Sequence, residues 1–215
     1  MKIFASALMF LGLFCLPIQA QSSMDNSFDR LIFNSASNYA TTAQYKTKGI
    51  VYFVRGILGV FSRGLDQMGE TLNDQGINAT VINHQAWKKA AVTIASHHKK
   101  NKKDPIILVG HSWGANAILR IAKFLQQRDI KVQYFVTFEP NINLPVPANV
   151  ESAANYYLSN SLLGLKLKKE QGSSGHLQNV DLKTLDGVGH FNIEKQTGIK
   201  TIVINDILRH LNQSP

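Results

Sequence analysis

The stretch Ile106-Ile107-Leu108-Val109-Gly110-His111-Ser112-Trp113-Gly114-Ala115-Asn116 decides how the rest of the chain is read. Its four leading apolar residues have the make-up of a strand buried on both faces. Asp104-Pro105 punctuates the start of that strand. From Trp113 to Gln127 apolar residues return at three- and four-residue spacing, so that Ala117, Ile118, Ile121 and Leu125 share one helical face. Between strand and helix stands Gly110-His111-Ser112-Trp113-Gly114, a G-x-S-x-G pattern. A backbone that passes from strand to helix within a few residues bends sharply. Glycine on either side relieves the crowding and pushes the serine hydroxyl out at the sheet edge. The pentapeptide alone is a weak signal, because small residues also make ordinary turns. Its place between a strand and a helix gives it weight.

Working outward, the same alternation repeats. Upstream, Gly49-Ile50-Val51-Tyr52-Phe53-Val54 reads as a buried strand stopping at Arg55-Gly56. Leu65, Met68, Gly69 and Leu72 mark a helix closed by Gly76. Asn78 to Ile82 reads as a strand and Trp87 to His98 as a helix with Ala90, Ala91, Ile94 and Ala95 on one face. Downstream, strands are expected at Val132 to Phe138, Ala153 to Leu158 and Asn179 to Leu182, with a final helix within Asn192 to Leu211. Apolar strands alternating with helices imply an α/β fold: a doubly wound, mainly parallel sheet with helices on both faces. Ligands of such sheets lie at the carboxyl ends of the strands.

The chain of 215 residues is one domain in size, preceded by a different kind of segment. Lys2 precedes an apolar run from Ile3 to Leu16, and Pro17-Ile18-Gln19-Ala20 leads into a polar stretch. Residues 1–20 read as a secretory signal peptide cut after Ala20, since the run is too short for a permanent span and lacks a stop-transfer flank. Residues 21–48 form a polar leader, and 49–215 the folded domain. Export to a periplasm or the medium is the expected localisation. The single cysteine, Cys15, lies inside the signal, so the mature domain can form no internal disulfide and has no thiol nucleophile. Lys and Arg total 23 against 14 acids, a net charge of +9. The lysine clusters at 99 to 103 and 166 to 169 have no nucleic-acid fold signature beside them, so no nucleic-acid partner is expected. A basic surface admits transient contact with an anionic membrane. Nothing in the sequence sets an oligomeric state.

Gly-His-Ser-Trp-Gly-Ala-Asn at 110 to 116, Arg55-Gly56-Ile57-Leu58-Gly59 at a strand end, and Gly189-His190-Phe191 together resemble the α/β-hydrolase superfamily of lipases, esterases and thioesterases. The resemblance covers about Gly49 to Leu211 and implies the same fold class without a large cap. It implies Ser112 as nucleophile and, in the order nucleophile, acid, histidine, His190 as general base. His176 sits in a glycine- and serine-rich loop, and His210 in the terminal helix, where a surface or capping role is expected. The adjacent His97 and His98 lack the spaced carboxylates or cysteines of a metal site. The strand end at Ser159-Asn160, where the family most often places its acid, has no carboxylate. Glu139, one strand earlier, is the expected acid, with Asp186 and Asp181 as rivals. The backbone amides of Trp113 and Ile57 are the implied oxyanion donors, although Arg55 stands where a histidine is usual. No cofactor or metal is implied. The expected partner is a small-molecule or lipid ester; Tyr156, Tyr157, Leu162, Leu163 and Phe191 are candidates for an apolar rim, although core or loop packing is the favoured reading of each. A noncatalytic exported protein that binds an anionic polymer or lipid is the competing reading.

Overall fold

The computed structural model describes residues 49–57, 59 and 62–213. The expected signal peptide and leader lie outside the described residues. Six parallel strands form a single sheet: β1 (Ile50–Arg55), β2 (Asn78–Asn83), β3 (Ile106–His111), β4 (Val132–Phe138), β5 (Val150–Tyr157) and β6 (His176–Asp181). Their order is β2-β1-β3-β4-β5-β6. Four helices cover it: α1 (Arg63–Asp74), α2 (Trp87–Lys100), α3 (Trp113–Gln126) and α4 (Thr197–Asn212).

Successive residues of a strand point to opposite faces, and here both faces are covered. Val51 and Phe53 of β1 and Ile107 and Val109 of β3 pack with α1 and α4. Ile50, Tyr52, Val54, Ile106 and Leu108 pack with α2 and α3. That is why the central strands are apolar at every position. The α/β fold class and the helices on both faces stand as the sequence implies.

The last two crossovers depart from strict alternation. Residues 139–149 and 158–175 return across the sheet without a helix, and a bridge between Val146 and Lys169 ties them together. Pro140, Pro145 and Pro147 deny the first segment a helical ladder. Val146 and Leu167 take the place of a helix by burying themselves on the α2–α3 side. Among the described residues there is no large cap.

Two boundaries move. β5 begins at Val150, ahead of the expected Ala153, and β6 spans His176–Asp181 rather than Asn179 to Leu182. His176 therefore opens a strand, paired with Ser152, and is not a loop residue. β6 is a partly exposed edge strand, so an apolar pattern does not mark it.

Candidate active site

The turn after β3 holds Ser112 at φ 55° and ψ −118°, a backbone conformation that an L-residue adopts at a cost of about 1–3 kcal/mol. The surroundings enforce it. Ser112 N–H donates to the carbonyl of Phe138 at 2.8 Å, and its own carbonyl accepts the Asn116 N–H at 3.1 Å. The flanking glycines are obligatory: a Cβ on Gly114 would lie 1.8 Å from the Val54 carbonyl oxygen, and one on Gly110 2.5 Å from that of Gly114. With the backbone locked, the Ser112 side chain has one direction to point.

It points at a histidine. Ser112 Oγ lies 3.0 Å from Nε2 of His190, whose Nδ1 lies 3.3 Å from Oε2 of Glu139. A carboxylate only accepts, so the proton sits on Nδ1 and the lone pair of Nε2 faces the hydroxyl. Glu139 is fully buried and also has a positive φ, 50°. Its Oε1 accepts the Leu158 N–H at 2.7 Å, and its own N–H donates to Tyr156 at 2.9 Å. Of the three carboxylates weighed from sequence, Glu139 is the one that reaches His190. Asp186 is exposed, and Asp181 accepts the backbone N–H groups of Ser159 and Lys183 at 3.0 and 3.1 Å.

The segment over Glu139 is held from below by a polar network absent from the sequence reading. Thr137 Oγ1 donates to Asn155 Oδ1 at 2.8 Å, and Asn155 Nδ2 donates to the Leu165 carbonyl and to Asn179 Oδ1. Asn179 in turn accepts the Leu167 N–H and donates to the Leu167 carbonyl. Pinned in this way, the loop brings Gly164 against the carboxylate. A Cβ there would lie 1.8 Å from Glu139 Oε1.

A second network joins the loop after β1 to the loop carrying His190. The His190 carbonyl can only accept, so His111 Nε2, 2.8 Å away, donates to it. His111 Nδ1 is then the acceptor for the Ser62 hydroxyl at 2.9 Å, and Ser62 Oγ accepts the Gly56 N–H at 3.1 Å. Burial pushes the His111 imidazole down to about 4, so it stays neutral near pH 7 and keeps this donor and acceptor pattern. Ser62 occupies the N-cap position of α1 but makes no capping bond, because its hydroxyl serves His111. An N-cap bond contributes about 1 kcal/mol; this helix forgoes it. His84 Nδ1 donates to the Gly56 carbonyl at 3.2 Å from the other side.

Gly56 is thus gripped at both its N–H and its C=O, and a Cβ on it would lie 3.2 Å from that of Ser112. Ile57 follows directly and is exposed. Residues 58, 60 and 61 of this loop lie outside the described ones. Trp113 is the first residue of α3, where a helix leaves its N–H groups without intrahelical partners. Arg55 turns away from the site to pair with Asp66 of α1.

The five residues weighed as rim or packing divide between the two. Tyr156 and Tyr157 are buried at 4% and 9% exposure, as inward-facing residues of an interior strand must be. Leu162, Leu163 and Phe191 are exposed, and Phe191 stands edge-on to the His190 ring at 5.1 Å. Leu162 and Leu163 border a groove of about 850 Å³ that runs from Trp113 past Asn116 and Arg120 on α3 to Trp87 on α2, with Ile142 opposite. Asn116 accepts the Asn141 N–H at 3.2 Å and donates to its side-chain oxygen, fixing that wall. His210 stacks on Tyr134 at 4.2 Å, and His97 pairs with Asp104 at 2.8 Å. Among the described residues no group of three or more His, Cys, Asp or Glu side chains is placed to hold a metal ion.

The elbow turn and the order of these residues along the chain follow the α/β-hydrolase pattern that the motifs resemble. Neither a family model nor a curated protein matches the sequence. Solved structures do. Human thioesterase 2 is 12% identical, with a TM-score of 0.48 over 76% of this chain and 96% of its own. A cutinase-like protein from Cryptococcus sp. is 13% identical, with a TM-score of 0.49 over 78% and 97%. A metagenomic carboxyl esterase is 12% identical, with a TM-score of 0.46 over 77% and 76%. The likeness is distant, and nothing about activity rests on it.

Proposed function

We propose that the chain is a serine hydrolase that cleaves carboxylic ester or thioester bonds through an acyl-enzyme on Ser112. The hydrogen-bonded line from Ser112 through His190 to Glu139 carries the reading, because a serine hydroxyl is unreactive at neutral pH without a positioned base. Ser112 Oγ attacks the carbonyl carbon while His190 Nε2 takes its proton, and Glu139 holds the imidazolium that forms. The Trp113 amide, with that of Ile57, donates to the developing oxyanion. A donor so placed contributes about a hundredfold or more. His190 then gives its proton to the departing alcohol or thiol, and water, deprotonated by the same nitrogen, releases the acid. Every step is supplied by side chains and amides of this chain. Residues 1–20 direct export and are removed, so the enzyme acts in a periplasm or the medium.

A fluorophosphonate probe tests the reading. Wild-type protein should gain one adduct on Ser112, and Ser112→Ala, with an unchanged circular dichroism spectrum, none. Folded wild-type protein that stays unlabelled would sink the proposal and leave the noncatalytic binding protein. Intact mass of the exported protein should begin at Gln21.

A further inference from the structure

We infer that the groove beside Ser112 is a binding site for single amphiphilic molecules bearing an anionic group, and that the preferred substrates are esters of that class. The substrate claim rests on the hydrolase reading; the binding claim does not.

The groove has an apolar floor and a charged far end. Trp113, which follows the nucleophile directly, lines it with Leu162 and Ile142, and Trp113 and Leu162 are exposed. At the far end Lys88 Nζ and the Arg120 guanidinium both lie over the Trp87 ring, 5.8 and 6.0 Å from its centroid. Both cations line the groove and rest on the same indole. Among the described residues no carboxylate lines the groove, and neither cation forms an ion pair.

An anion at this end of the groove would have two cations within reach and no carboxylate among the described lining residues. An indole floor would bury the chain attached to it. From Ser112 to Arg120 the helix rises roughly 12 Å at about 1.5 Å per residue. The charged group of a substrate therefore sits about that far from the reacting carbonyl, beyond a stretch of hydrocarbon. A phosphate, sulfate or carboxylate satisfies the same contacts.

The groove contains both tryptophans of the chain, so intrinsic fluorescence reports it directly. Decyl phosphate and decanol, below their aggregation concentrations, are titrated into wild-type protein and Ser112→Ala. The expected result in both is saturable quenching with about tenfold tighter binding of decyl phosphate, weakened by added salt. Lys88→Gln/Arg120→Gln should bring the two affinities together. Lys99→Gln/Lys100→Gln removes equal charge from the other end of α2 and should not. Equal affinities in wild type, or a preference that survives Lys88→Gln/Arg120→Gln, would overturn the inference. So would quenching by phosphatidylglycerol vesicles with none by monomeric decyl phosphate, which assigns the two cations to a membrane surface.

Turnover separates this claim from the hydrolase reading. Mono-p-nitrophenyl sebacate should be cleaved with about tenfold higher kcat/KM than p-nitrophenyl decanoate, through KM. Ester turnover without that preference overturns the substrate claim and leaves the hydrolase. Decyl phosphate binding without ester turnover supports the groove and sinks the hydrolase.

Discussion

The two walls of the candidate site are built differently. On the β4–β6 side Glu139, Asn155 and Thr137 are fully buried, and each holds named hydrogen bonds at fixed distances. On the α2–α3 side Trp113 and Leu162 are exposed, and the cations Lys88 and Arg120 rest on an indole without carboxylate partners. The first wall fixes atoms to within a fraction of an ångström, which a proton transfer needs. The second offers area and charge to a ligand that supplies the missing partners. Errors in the first wall should therefore lower kcat, and errors in the second should raise KM.

The largest effect should come from Glu139→Gln. The replacement has the same shape, but it no longer holds His190 with its lone pair toward Ser112, and kcat should fall by about a thousandfold or more. Near-normal turnover would reassign the acid. Gly164→Ala comes next. Its Cβ has no room beside Glu139 Oε1, so the loop or the carboxylate must shift, and a displacement of about 1 Å costs on the order of a hundredfold in kcat. An Ala variant that loses KM alone would break the distinction between the walls.

His111→Ala should be milder. It removes the link between Ser62 and the His190 carbonyl, and one buried hydrogen bond lost is worth about 1–2 kcal/mol, or roughly tenfold in kcat at unchanged KM. His111→Gln, which keeps a donor toward that carbonyl, should recover part of the loss. Equal loss in both variants would mean that His111 only fills space.

How much of this was legible in the sequence follows the same division. The strands next to Ser112 were readable because burial on both faces writes an unbroken apolar run, as at Ile106 to Val109. The elbow was readable because a sharp turn demands glycine at 110 and 114. Glu139, His190 and Ser112 were each marked by a local feature, a strand end or a glycine turn, and the structure brings them to hydrogen-bonding distance. Gly164, Asn155, Ser62 and His111 left no mark, since each acts on a partner distant in sequence. Only the crossing of loops over the sheet makes them neighbours.

Glu194 belongs to neither wall, and it gives the smallest effect on catalysis. Its carboxyl is buried in the turn at 193–195, packed so closely on α1 that a Cβ on Gly64 would lie 2.1 Å from its carbonyl oxygen. Neither side-chain oxygen finds a hydrogen bond of ordinary geometry. Burial pushes its pKa up to about 7 from the usual 4.5. The folded protein thus holds a proton between those values that the unfolded chain has released, so the contribution of this group to stability is greatest below pH 4.5 and declines as pH rises toward 7. Its full extent is on the order of 3 kcal/mol. Glu194→Gln should remove the decline, raising Tm by several degrees at pH 8 and hardly at pH 4.5. His111 titrates in the opposite sense, since its folded pKa is lowered to about 4 and its stabilisation is lost as pH falls below 6.5. Both proteins contain it, so the difference in Tm at each pH isolates Glu194. A gain of the same size at both pH values would show that the carboxyl is not ionised at a cost.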